Sequence, residues 1–273
     1  MTTAEPVVKW AGGKRQILAH IRRRLPKKIA TYYEPFIGGG AVYFALANRK
    51  VFENAVISDV NQELVDTYLL LADGRVDELV KVLSTYQNNQ EFFNQLRAQN
   101  PTEMTQVLRV ARFLFLNKTG FNGLYRVNGS GGFNVPFGHY ANPNFCDTSR
   151  FKEAARALRG TTIKCLDFES VVADAKPGDT IYFDPPYLPK SDTANFTAYT
   201  DSGFGIQEHT RLARVFKEKA EAGVSILLSN SDTKIARELY RGFRISRIQA
   251  VRSINSNGEK RGPIGELLIS ANL

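Results

Sequence analysis

Cysteine, histidine and tryptophan are scarce in this sequence: two, three and one in 273 residues. Cys146 and Cys165 are too few for a disulfide framework. Neither a CxxC pair nor a close Cys/His pair occurs, and His20, His139 and His209 lie far apart, so no metal site is expected. The thiols read as reduced side chains, which points to the cytoplasm. Long apolar runs are missing too. None approaches the ~20 residues needed to cross a bilayer, so no membrane partner is expected. The opening "MTTAEPVVKW" lacks the charged head and apolar stretch of a secretory leader. Internal repeats and low-complexity tracts are absent as well.

What is present is an excess of cations. Lys and Arg number 36 against 27 Asp and Glu, a formal net charge of +9. That balance suits a polyanion, because Lys and Arg that neutralise phosphates release counterions. Charge alone does not separate nucleic-acid binders from other basic proteins.

Periodicity organises the chain. "KRQILAHIRRRL" (residues 14–25) predicts a basic amphipathic helix stopped by Pro26. "TYYEPF" predicts a strand, "GGGAVYFALANR" a glycine turn entering a helix, and "AVISDV" a second strand. This order opens a doubly wound α/β sheet. Residues 61–117 then read as helices only. Val76, Leu79, Val80 and Leu83 share one helical face; Val107, Val110, Ala111, Leu114 and Phe115 share another. A Gly- and Asn-rich stretch, residues 117–144, is too long for a simple connector. After Thr148 come a helix, the strands "TTIKCL" and "TIYF", a polar loop at 190–205 and the helix "QEHTRLARVFKEKAEA". The strand "VSILLS", a short helix near Ala236 and the strands "FRISRIQAV" and "GELLISA" complete the chain. The expected organisation is an α/β domain, residues 1–58 and 147–273, interrupted by a helical insertion, 59–146, with a hairpin-like loop at 117–144.

Two motifs carry chemistry. "EPFIGGGAV" lies where the first strand of such a sheet meets its helix, and its glycines let a ligand approach the backbone. Asp59 ends the next strand, about where an acid binds a ribose diol. Tyr43 stands in place of the third glycine of the dinucleotide fingerprint, and "GGKR" lacks the hydroxyl residue of a P-loop. That leaves a nucleoside ligand with a diol and no pyrophosphate, which S-adenosylmethionine fits. The second motif is "DPPY". Asp184 ends a strand at the ligand crevice, Pro185 and Pro186 offer carbonyls without N–H groups, and Tyr187 offers a flat face. A carboxylate and a carbonyl can accept both hydrogens of a planar NH₂ and localise its lone pair, while the ring stacks on the heterocycle. A bare "DPP" is more often a proline turn with a capping aspartate; the ring and the cofactor loop shift the balance. Trp10, in "KWAGGK", sits where a buried partner or a stacked ligand is expected.

With "SDVN", "NKTGFNGLYRVNGSGGFNVPFG", "TANFTAY", "LLSNSD" and "RSINSNGEKRGPIGELL", these motifs resemble the Dam-type DNA adenine-N6 methyltransferases, which methylate GATC. The resemblance runs nearly end to end and keeps the family's order of cofactor half, recognition insert and catalytic half. It implies a class I S-adenosylmethionine-dependent methyltransferase fold with an inserted, mostly helical DNA-recognition domain. It implies a cofactor site at Trp10, Lys14, Phe36, Gly38, Asp59, Asp167, Phe168 and Asp184, with Asp59 on the ribose and Asp167 and Phe168 on the cofactor adenine. Catalysis would fall to Asp184, Pro185, Pro186 and Tyr187, acting on a flipped adenine. Lys9 would read the first guanine, Leu124 and Pro136 the thymine, and Arg126 the last base pair. Phe121 would wedge into the gap left by the flipped base, beside Asn122 at the loop tip. Arg97, Lys118, Asn128, Asn134 and His139 would contact phosphates. Lys118 and His139 depart from the arginine common in relatives, which bears on affinity more than on specificity. Loop residues Asn195, Phe196 and Tyr199 are candidates to cover the base, with Gly203 and Gly205 as hinges. The partner is double-stranded DNA containing GATC, and the protein is expected to work as a monomer.

Three rivals remain. A DNA-binding protein without chemistry conflicts with the intact "DPPY" and cofactor loop. The second is methylation of cytosine N4 or of RNA; cytosine-N4 enzymes of related fold more often carry serine at the position of Asp184. An NAD-dependent oxidoreductase conflicts with Tyr43.

Overall fold

The computed structural model describes residues 3–129, 131–188, 204–251 and 263–273. Along the chain come α1 (Leu18–Arg24), β1 (Ile29–Glu34), α2 (Ala41–Ala47), β2 (Phe52–Ser58), α3 (Gln62–Ala72), α4 (Val76–Leu83), α5 (Gln90–Ala98) and α6 (Gln106–Thr119). Short 3-10 turns lie at Pro101–Glu103 and Phe121–Gly123. There follow α7 (Thr148–Leu158), β3 (Thr162–Lys164), α8 (Phe168–Val171), β4 (Thr180–Phe183), α9 (Ile206–Glu221), β5 (Ser225–Ser231), α10 (Lys234–Leu239), β6 (Arg244–Val251) and β7 (Pro263–Ala271). The candidate covering residues Asn195, Phe196 and Tyr199, and the hinge Gly203, lie outside the described residues. The chain divides into two compact units, each described by itself below.

Unit 2 comprises Lys14–Ile37, Lys50–Ser58 and Leu166–Leu273. Its strands are ordered β2-β1-β4-β5-β7-β6. The first four run parallel, and β7 pairs antiparallel with both β5 and β6. Chain order reverses between β1 and β4, and such a switch point is where open α/β sheets bind ligands. All four residues of β4 are buried, which explains why "TIYF" does not alternate. Alternate residues of three strands, Ile181 and Phe183, Ile226 and Leu228, Leu267 and Ile269, build one core with Phe168 and Val171 of α8, Leu212, Val215 and Phe216 of α9, and Tyr240. Each fully buried side chain of this size contributes roughly 1.5–3 kcal/mol. Helix α1 starts later than the sequence predicts. Lys14 to Ile17 form a turn before it, with the Ile17 N–H bonded to the Lys14 carbonyl at 3.1 Å. Lys14 is thereby free of the helix and its ammonium reaches Asp184.

Unit 1 comprises Met1–Gly13, Gly38–Arg49 and Asp59–Cys165. It takes in the N-terminal segment and α2 as well as the helical insertion, and side-chain clamps explain why. Asn48 bonds both backbone groups of Ala4, at 2.9 and 2.8 Å, and Asn117 bonds both backbone groups of Lys9, each at 2.8 Å. The Tyr43 hydroxyl reaches the Ala157 carbonyl and the Thr161 hydroxyl, both at 2.6 Å, so it ties α2 to the end of α7. At the centre lies Arg112 of α6, 1% exposed. Its guanidinium donates to the Leu96 carbonyl (2.8 Å) and the Arg97 carbonyl (3.2 Å), closing the end of α5, and to Glu63 of α3 (2.9 Å). Residues 120–137 fold back on themselves through antiparallel bridges at Gly120–Phe137 and Val127–Phe133.

His209 of α9 sits at the i, i+3, i+7 spacing of Leu212 and Phe216 and is fully buried. Among the described residues neither ring nitrogen has a hydrogen-bond partner of good geometry. Burial pushes its pKa down from 6.5 to about 4, against a smaller pull from the Pro186 carbonyl. The folded protein keeps His209 neutral across that window while the unfolded chain takes up a proton, so stability falls as pH drops from 6.5 to about 4. The expected loss is roughly 3 kcal/mol. Urea unfolding of wild type and His209→Leu at several pH values checks this. The difference between them should grow in the variant's favour toward acid, and an equal pH slope would clear His209.

Candidate active site and DNA interface

The site in unit 2 is built where β4 stops. Asp184 follows the last residue of β4, and its side chain is 17% exposed. Its Oδ1 accepts from the Lys14 ammonium at 2.8 Å and from the Ser229 hydroxyl at 2.8 Å. Oδ2 has no partner among the described residues. Burial pushes the Asp184 carboxyl above its ordinary range, while Lys14 and Ser229 oppose that shift. The Lys14 ammonium also lies 4.7 Å from the centroid of the Tyr187 ring. The Tyr187 hydroxyl donates to Glu266 Oε2 at 3.0 Å. The polar end of β5 carries the turn: Asn230 Oδ1 accepts from the Leu188 N–H at 3.2 Å, and the Ser231 hydroxyl donates to the Leu188 carbonyl. Pro185 is buried and Pro186 exposed.

A second set in unit 2 is aromatic. Phe36 stacks on Phe168 with centroids 5.5 Å apart, and Phe168 is only 2% exposed. Asp167 caps α8 through the Glu169 N–H at 3.0 Å and holds Arg211 in a fork at 2.8 and 2.6 Å. Arg211 in turn covers the Phe168 ring at 4.3 Å. Asp167 and Phe168 are thus built into the packing around α8 and α9, with one Asp167 lone pair beyond these bonds.

In unit 1 the glycine loop meets Asp59. Asp59 Oδ2 accepts from the Gly38 N–H at 3.1 Å and Oδ1 from the Asn61 N–H at 3.0 Å. The two oxygens keep lone pairs beyond these bonds, the acceptors that the hydroxyls of a vicinal diol need. Gly38 has φ +47, and a Cβ there would lie 2.7 Å from the Trp10 indole, so only glycine fits. Trp10 stacks on Tyr125 at 5.4 Å, and the Tyr125 hydroxyl donates to Glu63 at 3.1 Å.

The folded-back loop presents its candidates unevenly. Phe121 is 50% and Leu124 38% exposed, although both are large and apolar. Asn122 has φ 54 and is exposed, and its N–H donates to the Tyr140 hydroxyl at 2.9 Å. Pro136 and His139 are exposed. Arg126 is braced by the Asn134 carbonyl through Nε (2.9 Å) and Nη2 (2.6 Å), which leaves donors for a base edge. Asn128 is exposed, its Oδ1 accepting from the Gly132 N–H at 2.8 Å. Arg97 and Lys118 are half-buried, and Arg97 lies 5.9 Å from the Phe93 ring. The Lys9 ammonium lies 4.7 Å from the Tyr140 centroid, and its stem lies against Gly123.

Residues 10–254 match the family described as D12 class N6 adenine-specific DNA methyltransferases. The chain belongs to that family. It is 41% identical to the type II methyltransferase M1.LlaDCHI of Lactococcus lactis subsp. cremoris over 273 residues, 97% of this chain and 94% of that protein. It is 40% identical to the type II methyltransferase M.MjaIII of Methanocaldococcus jannaschii, over 97% of this chain and 98% of that protein. The DNA adenine methylase of Escherichia coli (strain K12) is 35% identical over 96% of this chain and 93% of its own. This protein is accordingly an adenine-specific DNA methyltransferase, and S-adenosylmethionine is its methyl donor. The Asp59 acceptors and the glycine that Trp10 demands fit that cofactor.

Sequence reasoning assigned no role to Ser229, Asn230, Ser231, Glu266, Arg211 or Arg112. Register gives the first away: β4 and β5 pair Phe183 with Leu228, so the next residues are Asp184 and Ser229.

Lys14 opposes the upward shift that burial imposes on the Asp184 carboxyl, and that is testable. Lys14→Met removes the cation that lowers the Asp184 pKa, so its carboxyl should protonate at higher pH. The acidic limb of the single-turnover rate should move upward, and stability should fall by roughly 3–5 kcal/mol, the size for a broken buried pair. An unmoved limb would assign the charging of Asp184 to another group.

Proposed function

We propose that this methyltransferase acts on the N6 amine of adenine in double-stranded GATC, after flipping that adenine out of the duplex. The observation that carries the flipping is the recessed Asp184 carboxylate, 17% exposed at the end of a buried strand. An amine inside a base stack cannot reach such an acceptor, and extrusion costs only a few kcal/mol. Asp184 and the Pro185 carbonyl accept the two amine hydrogens. The lone pair then leaves conjugation, and the Asp184 charge stabilises the cation that forms on nitrogen. Tyr187 stacks on the base, and Pro186 stiffens the turn. S-adenosylmethionine supplies an electrophilic methyl group when bound. Asp59 takes its ribose, Gly38 and Trp10 shape the approach, and Lys14, Phe36, Asp167, Phe168 and Asp184 complete the binding set.

For sequence reading, Lys9 takes the first guanine, Leu124 and Pro136 the thymine methyl, and Arg126 the last base pair. Phe121 and Asn122 fill the space the adenine leaves. Arg97, Lys118, Asn128, Asn134 and His139 track phosphates. Support comes from the large apolar side chains left exposed beside a braced arginine on the folded-back loop. Apolar tips contact thymine methyls or wedge between bases, and a guanidinium forks onto guanine.

Two outcomes are expected. Plasmid treated with enzyme and cofactor should become a substrate for a nuclease that cuts only N6-methylated GATC. Asp184→Ala should abolish this while keeping its circular dichroism, since each lost acceptor costs roughly 2–4 kcal/mol. Methylation of adenine outside GATC would refute the site, and wild-type turnover in Asp184→Ala would refute its role. Separately, Arg126→Ala should relax discrimination at one outer base pair by ~1–3 kcal/mol. Initial rates on duplexes substituted at each position measure this, and a uniform loss on all of them would make Arg126 a phosphate contact.

A further inference from the structure

Glu266 is a half-buried carboxylate in β7, in register with Ser231 of β5 and Ile248 of β6. A carboxylate inside a sheet is costly unless something donates to it. Among the described residues its hydrogen-bond donor is the phenol of Tyr187, at 3.0 Å. The phenol is held in its protonated, donating form, because burial first, then the Asp184 and Glu266 charges, push its pKa well up. The chain just after Tyr187 is pinned as well, by Asn230 and Ser231 on both backbone groups of Leu188. What backbone pinning cannot fix is the swing of the ring about its side-chain torsions. A bond at the para position anchors the far end of the ring, and because the phenolic O–H prefers the ring plane, the acceptor also favours one rotation of that plane about Cβ–Cγ. The Lys14 ammonium, 4.7 Å from the centroid, holds the same ring from its face.

We propose that Glu266 is a positioning residue for methyl transfer: through the phenol it sets the tilt of the Tyr187 ring, and so the plane in which the flipped adenine stacks. The proposal rests on the reading of Tyr187 as the stacking surface. Stacking depends on overlap between planes, so a ring free to swing would leave the amine misaimed at Asp184 and at the methyl donor, and misplacement of a reacting group lowers rate more than affinity. The tether also gives the tyrosine hydroxyl a function that a phenylalanine lacks.

The test uses full-length protein and a GATC duplex with 2-aminopurine in place of the target adenine. In wild type the probe should brighten on flipping and then dim as it stacks. Glu266→Ala and Tyr187→Phe should each leave it brighter than wild type. On the natural duplex each should lower kcat about tenfold, the worth of one charge-assisted hydrogen bond, with KM for DNA and cofactor within about twofold of wild type. Combined, they should lose no more than either alone, because both remove the same bond. Glu266→Gln, whose amide oxygen still accepts, should restore dimming and rate. Losses that multiply in the double variant, or a Gln variant as poor as Ala, would overturn the proposal. Where Glu266→Ala is too unstable to purify, Tyr187→Phe with wild-type dimming and kcat would overturn it equally. Tyr187→Ala separates the two levels. If its probe matches wild type, the stacking reading fails. If its probe stays bright while Glu266→Ala dims normally, only the role of Glu266 fails.

Discussion

The ion pair between Lys14 and Asp184 is the constraint around which the catalytic unit is arranged. In the role proposed for Asp184, a carboxylate that accepts from a weakly basic amine must be charged, and it must be shielded from water that would compete for its lone pairs. Those demands conflict, since burial raises its pKa. The structure meets both by placing one ammonium and one hydroxyl on Oδ1 and leaving Oδ2 without a partner among the described residues. The parallel register of β4 and β5 brings Ser229 there, and the delayed start of α1 releases Lys14. The end of β5, "SNS", then serves one turn: Ser229 holds Asp184, while Asn230 and Ser231 hold Leu188.

Unit 1 uses a buried ion pair differently. Arg112 and Glu63 join α6, α3 and the end of α5, and the second Glu63 oxygen takes the Tyr125 hydroxyl. Tyr125 stacks on Trp10, and Trp10 rests on Gly38. One buried charge pair thus fixes both the glycine loop, through the indole, and the base of the folded-back loop, through the phenol. Replacing such a pair with apolar groups often costs little stability. The stronger reason to keep it here is geometric: an arginine fork can close a helix end and orient a carboxylate at once.

The order of elements was legible because hydrophobic period and glycine position are local signals. "DPPY" stood out because a ring and a cofactor loop accompany it, although a bare "DPP" is more often a proline turn, and the glycine loop stood out because Tyr43 ruled out its commonest alternative. The partners that make Asp184 and Tyr187 work were not legible. Ser229 and Glu266 lie 45 and 79 residues away and arrive through strand register, which local pattern does not encode. The same holds for Arg211, which meets Asp167 across 44 residues. The start of α1 was placed too early because Lys14 looks helical by propensity, while its electrostatic partner lies on a different strand.

On the proposed reading of Asp184 and the Pro185 carbonyl as amine acceptors, the two prolines add a further element of selectivity. Neither Pro185 nor Pro186 carries an N–H, so the backbone beside Asp184 offers acceptors and no donors. The donors nearby, Lys14 and Ser229, bond to Asp184 Oδ1. A base entering with an exocyclic amine finds acceptors for both hydrogens. A base with an exocyclic oxygen at that position sets its lone pairs against a carboxylate and a carbonyl, which is repulsive and leaves buried acceptors unpaired. Discrimination by unpaired polar groups is far steeper than discrimination by shape. On the proposed roles of Asp184 and Pro185, the turn would select amino over oxo bases at the step of chemistry, separately from whatever the folded-back loop reads in the duplex.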